Sequence, residues 1–571
     1  DFTKVQTDNR VVVNGLLGFG LEFGRNKLRW TNVYVRDTLK QARLSTGVKT
    51  NSIVGADFMD QSTAWYERQL IVTLLVGEFD LDGVSVDIRA AYANSQRVAP
   101  FEWDFEYVKT NQAADPYGQF FVNILDRQRG FANVAFSNLN ENLYSFGVDF
   151  GYEIAPRVNL SAGYAMADTK RTSSRRKFQY NPSSSLPTYV GLFRPDYLLG
   201  RAVIDYYGIN LVEETETDPA FVAKLNIDAG YAMVQADILA GLNLNLGARY
   251  ERAQQSVLPE RVFNANFNAA ASTLIEKDYW LPAATLTYEI SPAMQFRLNA
   301  SKTIARPQFR ELLNQSFYDP ETNRLYRGNP NLTDSELFNA EARYEWYFAR
   351  DQRFSLAGFY KKIDNPIEAY VSIQSGNDPI TGYANAPEAR LYGAEVELQK
   401  YFDLGGLASD GFFSTRRAVI VANYTYTKSE IKVGANDMVS VYPSGLQLAS
   451  NYFTDGDSLT GQSDHLVNLQ LGLEDLDSMS QQTLLLTYAS KRVTSRGPAN
   501  QPDIYEYPGF NLDIVIRQGL KLFGIEAELK LEGRNLTNNN YKEYQQSGPN
   551  RIYYNRYDIG TSFSGSISVK F

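Results

Sequence analysis

Residues 145–154 read Ser-Phe-Gly-Val-Asp-Phe-Gly-Tyr-Glu-Ile, and this stretch decides the fold. Every second residue from Phe146 to Ile154 is large and apolar, and the residues between them are small or charged. Successive side chains of a β-strand point to opposite faces, whereas an amphipathic helix repeats every 3.6 residues. The stretch therefore predicts a strand with one apolar and one polar face.

The same alternation recurs at 242–251, 467–474 and 525–532. The readable strands run about 10 to 16 residues, whereas strands of soluble proteins usually have five or six. The polar face of 525–532 carries charges at consecutive positions, which requires water on that side. A transmembrane strand needs roughly 9–11 residues, an apolar outer face and a polar lumen. We therefore predict an all-β protein, a transmembrane antiparallel β-barrel, rather than a soluble sheet.

Composition excludes several other classes of protein. The 571 residues contain no cysteine and one histidine, which excludes disulfide scaffolds, thiol enzymes and His-rich metal sites. A net charge of −9 and a pI near 5.1 argue against a nucleic-acid partner. The longest apolar run, residues 70–76, is far shorter than the ~20 residues of a spanning helix. A mean hydropathy of −0.35 is compatible with a barrel, because only alternate residues face lipid.

Short and long connections alternate along the chain. Tight turns are predicted at 24–26, 80–83, 155–157, 291–292, 350–352, 475–478 and 518–519, and long polar loops near 41–62, 97–140, 172–220, 255–277, 306–333, 366–381, 432–462, 494–506 and 537–555. Outer-membrane barrels have short periplasmic turns and long extracellular loops. We count roughly nineteen strands, nine hairpins and a final strand near 557–571. Because bacterial barrels close on an even number, we expect one or three further strands ahead of the given sequence.

The second half of the chain is similar to the barrel of TonB-dependent outer-membrane receptors. The residues that match that family's motifs are Arg297, Ser301, Arg306 and Pro307; Gly328, Asn329, Pro330 and Leu332; Asn339, Glu341 and Glu345; Phe359, Tyr360, Ile363, Asn365 and Ile367; 392–397; and 533–538. The resemblance implies a 22-stranded barrel, of which 1–571 form the barrel domain. It also implies an N-terminal plug and a TonB-contacting segment, which the given sequence does not include.

The resemblance implies an outer-membrane active transporter without a cofactor, and not an enzyme. It would bind a scarce solute outside the cell and import it to the periplasm by TonB-coupled plug movement. The first candidate cargo is a ferric siderophore, followed by a glycan, cobalamin or another small nutrient. A passive pore, or a surface receptor or adhesion barrel without energy coupling, is the alternative.

Three sets of residues are candidates for function. Aromatic loop residues are expected to contact cargo, namely Trp103, Phe105, Tyr107, Tyr318 and Tyr326. Inner-face charges are expected to face the plug, namely Arg249, Arg297, Glu341, Glu345, Glu395, Glu397, Glu528 and Arg534. Family-motif residues are expected to be structural, namely Arg306, Pro307, Gly328, Asn329, Pro330, Asn535 and Phe571.

Further features concern partners and chemistry. The terminal Phe571 resembles the signal read by the barrel-assembly machinery. The cations Arg171, Arg175, Arg176 and Lys177 form a cluster that lipopolysaccharide phosphates would fit, and a solvated charge run is the alternative. The single histidine, His465, lies two residues after Ser463, which shares its strand face and does not by itself make a catalytic triad.

Overall fold

The structure is a computed structural model that describes most of the chain. The described residues are 2–49, 56–109, 117–126, 129–215, 219–261, 268–319, 324–373, 379–406, 411–497, 501–522 and 525–569. Strands dominate them, and the α-helices are short: α1 (Pro195–Leu198), α2 (Arg201–Tyr207) and α3 (Phe309–Leu312). No helix in these ranges has both the length and the apolar composition needed to cross a membrane.

Thirty strands are present in the described residues. In chain order they are β1 (Phe2–Phe23), β2 (Asn26–Val48), β3 (Asp57–Leu81), β4 (Val84–Lys109), β5 (Phe131–Ala155), β6 (Val158–Pro182), β7 (Ile209–Glu213), β8 (Ala220–Leu239), β9 (Leu242–Glu260), β10 (Thr273–Ser291), β11 (Met294–Ala305), β12 (Ser316–Asp319), β13 (Arg324–Arg327), β14 (Ser335–Ala349), β15 (Gln352–Asp364), β16 (Ile367–Ile373), β17 (Pro379–Asn385), β18 (Glu388–Asp403), β19 (Arg416–Lys432), β20 (Met438–Val441), β21 (Gly445–Leu448), β22 (His465–Asp475), β23 (Ser480–Ala489), β24 (Arg492–Ser495), β25 (Ile504–Glu506), β26 (Gly509–Leu522), β27 (Ile525–Arg534), β28 (Tyr541–Ser547), β29 (Asn550–Tyr557) and β30 (Ser562–Val569).

Nineteen long strands form one antiparallel sheet in which each strand pairs with its neighbours along the chain. The order is β1, β2, β3, β4, β5, β6, β8, β9, β10, β11, β14, β15, β18, β19, β22, β23, β26, β27 and β30, and β7 adds a short strand beside β6. The predicted count of about nineteen strands is confirmed. In the described residues β1 and β30 are the sheet's two edges, so closure into 22 strands stays a prediction.

The short connections all lie at one end of the sheet, as predicted. The ladders of β1 with β2, β3 with β4 and β5 with β6 continue to within two or three residues of their turns. One predicted turn is wrong: Gln518 and Gly519 lie inside β26 and pair with Leu529 and Glu528. A Cβ at Gly519 would lie 3.1 Å from the Met479 Cβ on the neighbouring chain segment. The glycine accommodates a close approach, and does not make a turn.

The strands β3 to β6 are longer than the sequence pattern predicted, with 25 or 26 residues each. Much of the predicted loop 97–140 is therefore strand, because β4 reaches Lys109 and β5 begins at Phe131. A strand needs an apolar outer face only where it contacts lipid. Above the membrane the alternation of apolar and polar residues fades, while the hydrogen-bonded ladder between the strands continues. The alternation therefore predicts strands that are shorter than the observed ones.

The long-loop side carries its own small sheets and cores. β12, β13, β17 and β16 form one loop sheet, and β24, β25, β28 and β29 form another. One apolar core packs α1 and its flanking loop against β4 and β5. Another packs α3 against inner-face residues of β8 and β9. The loops are thus folded bodies that the long strands hold in place.

Candidate functional site

The predicted cargo aromatics of β4 lie on the outer face of the sheet. A bulge between Ala99 and Glu102 shifts the register, so that Trp103 pairs with Val134. Phe105 and Tyr107 are buried in the core beneath the α1 loop, and the Tyr107 hydroxyl donates a hydrogen bond to the Phe193 carbonyl (2.8 Å). These are contacts of a packed core, and cargo contact by these residues stays a prediction.

Trp103 joins the same stack of rings. Its ring centroid lies 5.8 Å from that of Phe105 and 5.7 Å from that of Tyr180, with the ring planes nearly parallel in both pairs. Tyr180 also belongs to the outer-face core beneath the α1 loop. The three aromatics therefore brace the loop that carries α1 and α2.

Tyr326 lies at a cavity between the two loop sheets. Its ring stacks on Phe317 (5.5 Å) and Tyr383 (6.2 Å). The cavity has a volume of about 390 Å³ and is lined by Arg324, Tyr326, Thr460, Gly461, Arg492, Thr494, Glu506, Tyr541 and Glu543. Tyr318 lies in β12 opposite Leu325, and its side chain is outside the described part of the structure. Of the predicted aromatics with a described side chain, Tyr326 is the one that lines this cavity.

The cavity holds two ion pairs. The Arg324 guanidinium contacts the Glu543 carboxylate (2.6 Å) and donates a hydrogen bond to Ser495 Oγ (2.6 Å). Arg492 pairs with Glu506 (2.8 Å). Burial raises the pKa of Glu543, and the Arg324 charge opposes that shift. The wall therefore offers paired guanidinium and carboxylate groups beside two tyrosine rings, which suits a polar, oxygen-rich solute with a flat face.

Sequence reasoning missed most of this cavity. Arg324 and Glu543 are separated by 219 positions, and no local spacing connects them. Nothing in the sequence distinguishes Arg492 and Glu506 from other charged residues in exposed loops. Two of its residues carry a sequence signal, since Tyr326 is one of the aromatics predicted to contact cargo and Tyr541 follows the motif at 533–538.

A buried arginine ties three loops together next to the cavity. Arg496 is 1% exposed, and its guanidinium contacts Glu368 (3.0 Å) and Asp503 (2.8 Å). Glu368 also accepts a hydrogen bond from the Thr460 amide (3.0 Å). The Arg496 backbone pairs with the segment that contains Ala369. This cluster connects the segments around Glu368 and Thr460 with Arg496 and Asp503 in one hydrogen-bonded unit.

The motif residues between 306 and 332 hold a loop against the inner face of β9 and β10. Arg306 contacts Glu251 (2.6 Å), and the Pro307 carbonyl accepts a hydrogen bond from Gln255 (2.8 Å). The Pro330 carbonyl accepts one from Thr273 (2.8 Å). All three are contacts of loop architecture.

The side chain of Asn329 makes four hydrogen bonds, and the residue is 2% exposed. Its amide group donates to the carbonyls of Tyr383 (3.0 Å) and Ser440 (2.8 Å), and its side-chain oxygen accepts from the amides of Asn331 and Tyr442. Asparagine is one of the few side chains with this double donor and acceptor capacity. Asn329 thus joins three extracellular-side loops through backbone groups.

The last motif also has structural contacts. Asn535 has a positive φ of 53°, and its side chain donates to the carbonyls of Asn539 (3.0 Å) and Gly560 (2.8 Å). Asparagine tolerates this left-handed conformation better than most residues. Phe571 lies outside the described residues, so its assembly role stays a prediction.

Ion pairs connect the inner-face charges along the barrel wall. They are Arg249–Glu251 (2.8 Å), Arg297–Glu345 (3.5 Å), Arg343–Glu341 (2.9 Å), Arg343–Glu395 (3.6 Å), Arg353–Glu397 (2.8 Å), Arg517–Glu528 (2.5 Å) and Arg534–Glu532 (3.6 Å). All eight residues predicted to face the plug belong to this set. Their charges are largely neutralised within the wall, which leaves a polar lining without a strong field of one sign.

The basic residues at 171–177 divide between the two faces of β6. Arg171 pairs with Glu141 (2.7 Å) and Arg175 with Glu102 (2.6 Å), both on the inner face. Arg176 points to the outer face and pairs with Glu213 (2.9 Å). Strand alternation places Arg176 on the opposite face from Arg171 and Arg175, and binding of a lipopolysaccharide phosphate by these residues stays a prediction.

His465 contacts an aromatic ring and not a carboxylate. Its Nδ1 lies 2.9 Å from the Tyr424 hydroxyl, and its ring packs on Tyr424 and Tyr426. Ser463 instead donates its hydroxyl hydrogen bond to the Ser490 carbonyl (2.8 Å). His465 therefore belongs to a small cluster of aromatic rings.

An inner-face carboxyl beyond the bulge of β4 has a shifted pKa. Burial, with the charge of Asp60 nearby, raises the pKa of Asp104 to about 6. The folded protein therefore holds this proton more tightly than the unfolded chain, and the associated stability is lost as the pH rises through 6. We expect Asp104→Asn to be more thermally stable than the parent protein at pH 7.5 and to lose that advantage at pH 4.5. An identical difference at both pH values would contradict this, and the exposed Asp168→Asn serves as control.

A family profile described as TonB dependent receptor-like, beta-barrel matches residues 188–536. That is more than half of the sequence. The chain belongs to the TonB-dependent receptor family. It is accordingly an outer-membrane protein, and its relatives are receptors and transporters. No curated protein matches the sequence significantly.

Three solved structures share the fold of this TonB-dependent receptor. The siderophore receptor PiuA from Acinetobacter baumannii is 11% identical, with a TM-score of 0.55 over 100% of this chain and 80% of that one. The ferric-catecholate import receptor Fiu from E. coli K12 is 11% identical, with a TM-score of 0.51 over 94% and 77%. P. aeruginosa FpvA, solved with a bound pyoverdine and iron, is 12% identical, with a TM-score of 0.52 over 98% and 70%. At these identities the likeness is one of fold.

Proposed function

We propose that this receptor binds a ferric siderophore at its extracellular loops and imports it into the periplasm by TonB-coupled movement of a plug domain. Family membership supports the partnership with TonB and a plug. The names of the structural relatives support the siderophore, ahead of a glycan, cobalamin or another small nutrient. The observation that carries the proposal is the polar cavity of about 390 Å³ between the two loop sheets. Small-molecule sites typically occupy roughly 300–1,000 Å³.

Capture in this cavity would use its paired charges and its rings. A ferric chelate presents oxygen atoms and, in many chelators, flat aromatic groups. The guanidinium groups of Arg324 and Arg492 would donate hydrogen bonds to the oxygens, while Tyr326 and Tyr541 would contact the flat groups. Exchange of Glu506 for a cargo oxygen at Arg492 would need little movement, because Arg492 is one-third exposed.

The inner wall would hold the plug at rest. Its paired charges still expose several groups, and the most accessible of the predicted plug-facing side chains are Arg297 (41%), Glu341 (40%) and Arg534 (62%). Such groups can exchange a wall partner for a plug partner at small cost, since exposed ion pairs contribute only about 0–1 kcal/mol each. A wall of this kind suits a plug that must move.

The coupling is tested by uptake in cells that carry the full-length receptor. We expect iron-chelate uptake to require both TonB and the receptor, while binding at the cell surface persists without TonB. Uptake that continues without TonB would favour the passive pore, and surface binding of other cells without uptake would favour the adhesion barrel. A matched panel of ferric siderophores, an oligosaccharide and cobalamin identifies the cargo.

The cavity is tested by two substitutions that keep the fold. We expect Tyr326→Ala and Arg492→Gln each to weaken cargo binding about tenfold, or about 1.4 kcal/mol, because each removes one direct contact. Tyr197→Ala is the control, since that ring is 62% exposed on α1 and outside the cavity. Binding to purified receptor is measured by quenching of its intrinsic fluorescence. Unchanged affinity in both cavity variants would show that cargo binds elsewhere.

A further inference from the structure

The outer face of β3 to β8 carries an apolar groove directly beneath a pair of lysines. The groove has a volume of about 360 Å³, and its lining includes Leu75, Ala90, Tyr92, Tyr144, Phe146 and Met166. These residues lie in two adjacent rows across the sheet. Leu75, Ala90, Phe146 and Met166 form the lower row, and Tyr92 and Tyr144 belong to the upper one. The small side chain of Ala90, between two large neighbours, makes the depression.

The row above the tyrosines contains two lysines on adjacent strands. Lys170 of β6 pairs directly with Lys224 of β8, and both are exposed. Like charges directly opposite each other on antiparallel strands destabilise a sheet. In the described part of the chain neither lysine has a carboxylate within 4 Å. Asp228, on the same face of β8, is engaged by the Tyr164 hydroxyl (2.5 Å).

The position of the lysines indicates where their counter-charge comes from. Tyrosines are enriched at the boundary between the lipid and water, and here Tyr92 and Tyr144 contact each other (4.9 Å between ring centroids). The Tyr92 hydroxyl donates a hydrogen bond to Asn142, which pairs with Lys170 in the next row. Successive rows on one strand face lie about 7 Å apart. The lysines therefore lie one row closer to the long-loop end of the sheet than these tyrosines, on the side where lipid headgroups are expected.

We propose that this face binds the phosphorylated glycolipid of the outer leaflet, lipopolysaccharide. An acyl chain occupies the groove at Ala90, and a phosphate of the headgroup lies between Lys170 and Lys224. The phosphate neutralises the repulsion between the two lysines and accepts hydrogen bonds from both ammonium groups. Neither part of the site belongs to the cargo cavity, which lies among the loops of the second half of the chain.

The site is tested with the full-length receptor in detergent, using bisphosphorylated lipid A as the probe. We expect the double variant Lys170→Gln with Lys224→Gln to bind lipid A at least tenfold more weakly than the parent protein. Lys302→Gln is the matched control, because that lysine also lies exposed on a long strand but is already neutralised by Glu336 (2.7 Å). In lipid-free detergent the double variant should be at least as thermally stable as the parent, since it loses a repulsion.

Two further probes separate the groove from the charge. Ala90→Phe fills the groove and should weaken lipid A binding by a similar factor, without changing the response to inorganic phosphate. Dephosphorylated lipid A should bind the parent protein as weakly as lipid A binds the lysine double variant. The proposal is overturned if dephosphorylated lipid binds equally well, if inorganic phosphate alone binds as tightly as lipid A, or if the double variant binds like the parent.

Discussion

Replacement of Arg496 by methionine is expected to lower the opening free energy of the extracellular loops by about 3–5 kcal/mol, the range for removal of one partner of a buried ion pair. The Arg496 and Glu368 side chains are only 2% and 3% exposed. Without the guanidinium, Glu368 keeps the Thr460 amide as a donor but loses its opposite charge. A buried carboxylate without a countercharge is strongly disfavoured.

The pH dependence of the Arg496→Met variant distinguishes a lost charge pair from lost packing. Burial already raises the pKa of Glu368, and Arg496 opposes that shift. Removal of Arg496 therefore raises the pKa further, so the variant should regain stability as the pH falls and Glu368 becomes protonated. A loss that is the same at every pH would indicate packing alone.

Native-state hydrogen exchange of 366–373 and 457–460 measures this loop opening directly. Glu368→Gln in the Arg496→Met background removes the stranded charge, and should recover a large part of the loss. Arg201→Met is the control, because that arginine is 94% exposed on α2. A loss below about 1 kcal/mol in Arg496→Met would contradict the role of the pair.

The sheet was predictable because its cause is local. Residues such as Phe146 and Val148 face lipid while Gly147 faces the lumen. Apolar and polar residues must therefore alternate along the strand, and this alternation is visible in the sequence. The hairpin turns were predictable for the same reason, since each ends two alternating runs. Gly519 is the exception, because a glycine that permits a close approach and a glycine that makes a turn look identical in sequence.

The face to which each side chain points was predictable from the alternation as far as the bulge in β4. Aromatic character alone predicts cargo contact by Trp103, and the extra residue between Ala99 and Glu102 determines which face of the sheet its ring occupies, namely the outer one. A bulge inserts one extra residue, so every later side chain on the strand points to the opposite face from the one that the alternation predicts. Glu341 and Glu345 lie on the inner face, as the alternation predicts, because the ladder of β14 is regular there.

The cavity was beyond sequence reasoning because it is built from distant loops. Arg324 meets Glu543, and Glu368 meets Arg496, across gaps that no period or motif spans. Such pairs become visible only when the folded loops place them together. The motif residues were predictable in part. Gly328 and Asn329 predict a turn, but the sequence does not predict that Asn329 joins three loops.

Replacement of Gly328 by alanine is expected to disrupt the loop at 306–334 and to weaken cargo binding more than tenfold. A Cβ at this position would lie 2.4 Å from the Leu313 carbonyl oxygen and 2.6 Å from those of Arg310 and Glu311. All three atoms belong to backbone, so no side chain can rotate away. Overpacking of this kind costs about 1–3 kcal/mol and sometimes more.

Gly328→Ala is expected to affect the cavity because Gly328 is close in sequence to a residue that lines it. Tyr326 is two residues before Gly328, and the next residue is Asn329, whose side chain makes four hydrogen bonds. Asn329→Ala separates the two effects, because it removes those hydrogen bonds and leaves the backbone room unchanged. Gly406→Ala is the control, since a Cβ there meets nothing within 4 Å. Thermal stability and cargo affinity are measured together. The contrary result is that Gly328→Ala has the same thermal stability and the same cargo affinity as Gly406→Ala. That result would show that the close packing of Gly328 against residues 310–313 does not fix Tyr326 at the cavity.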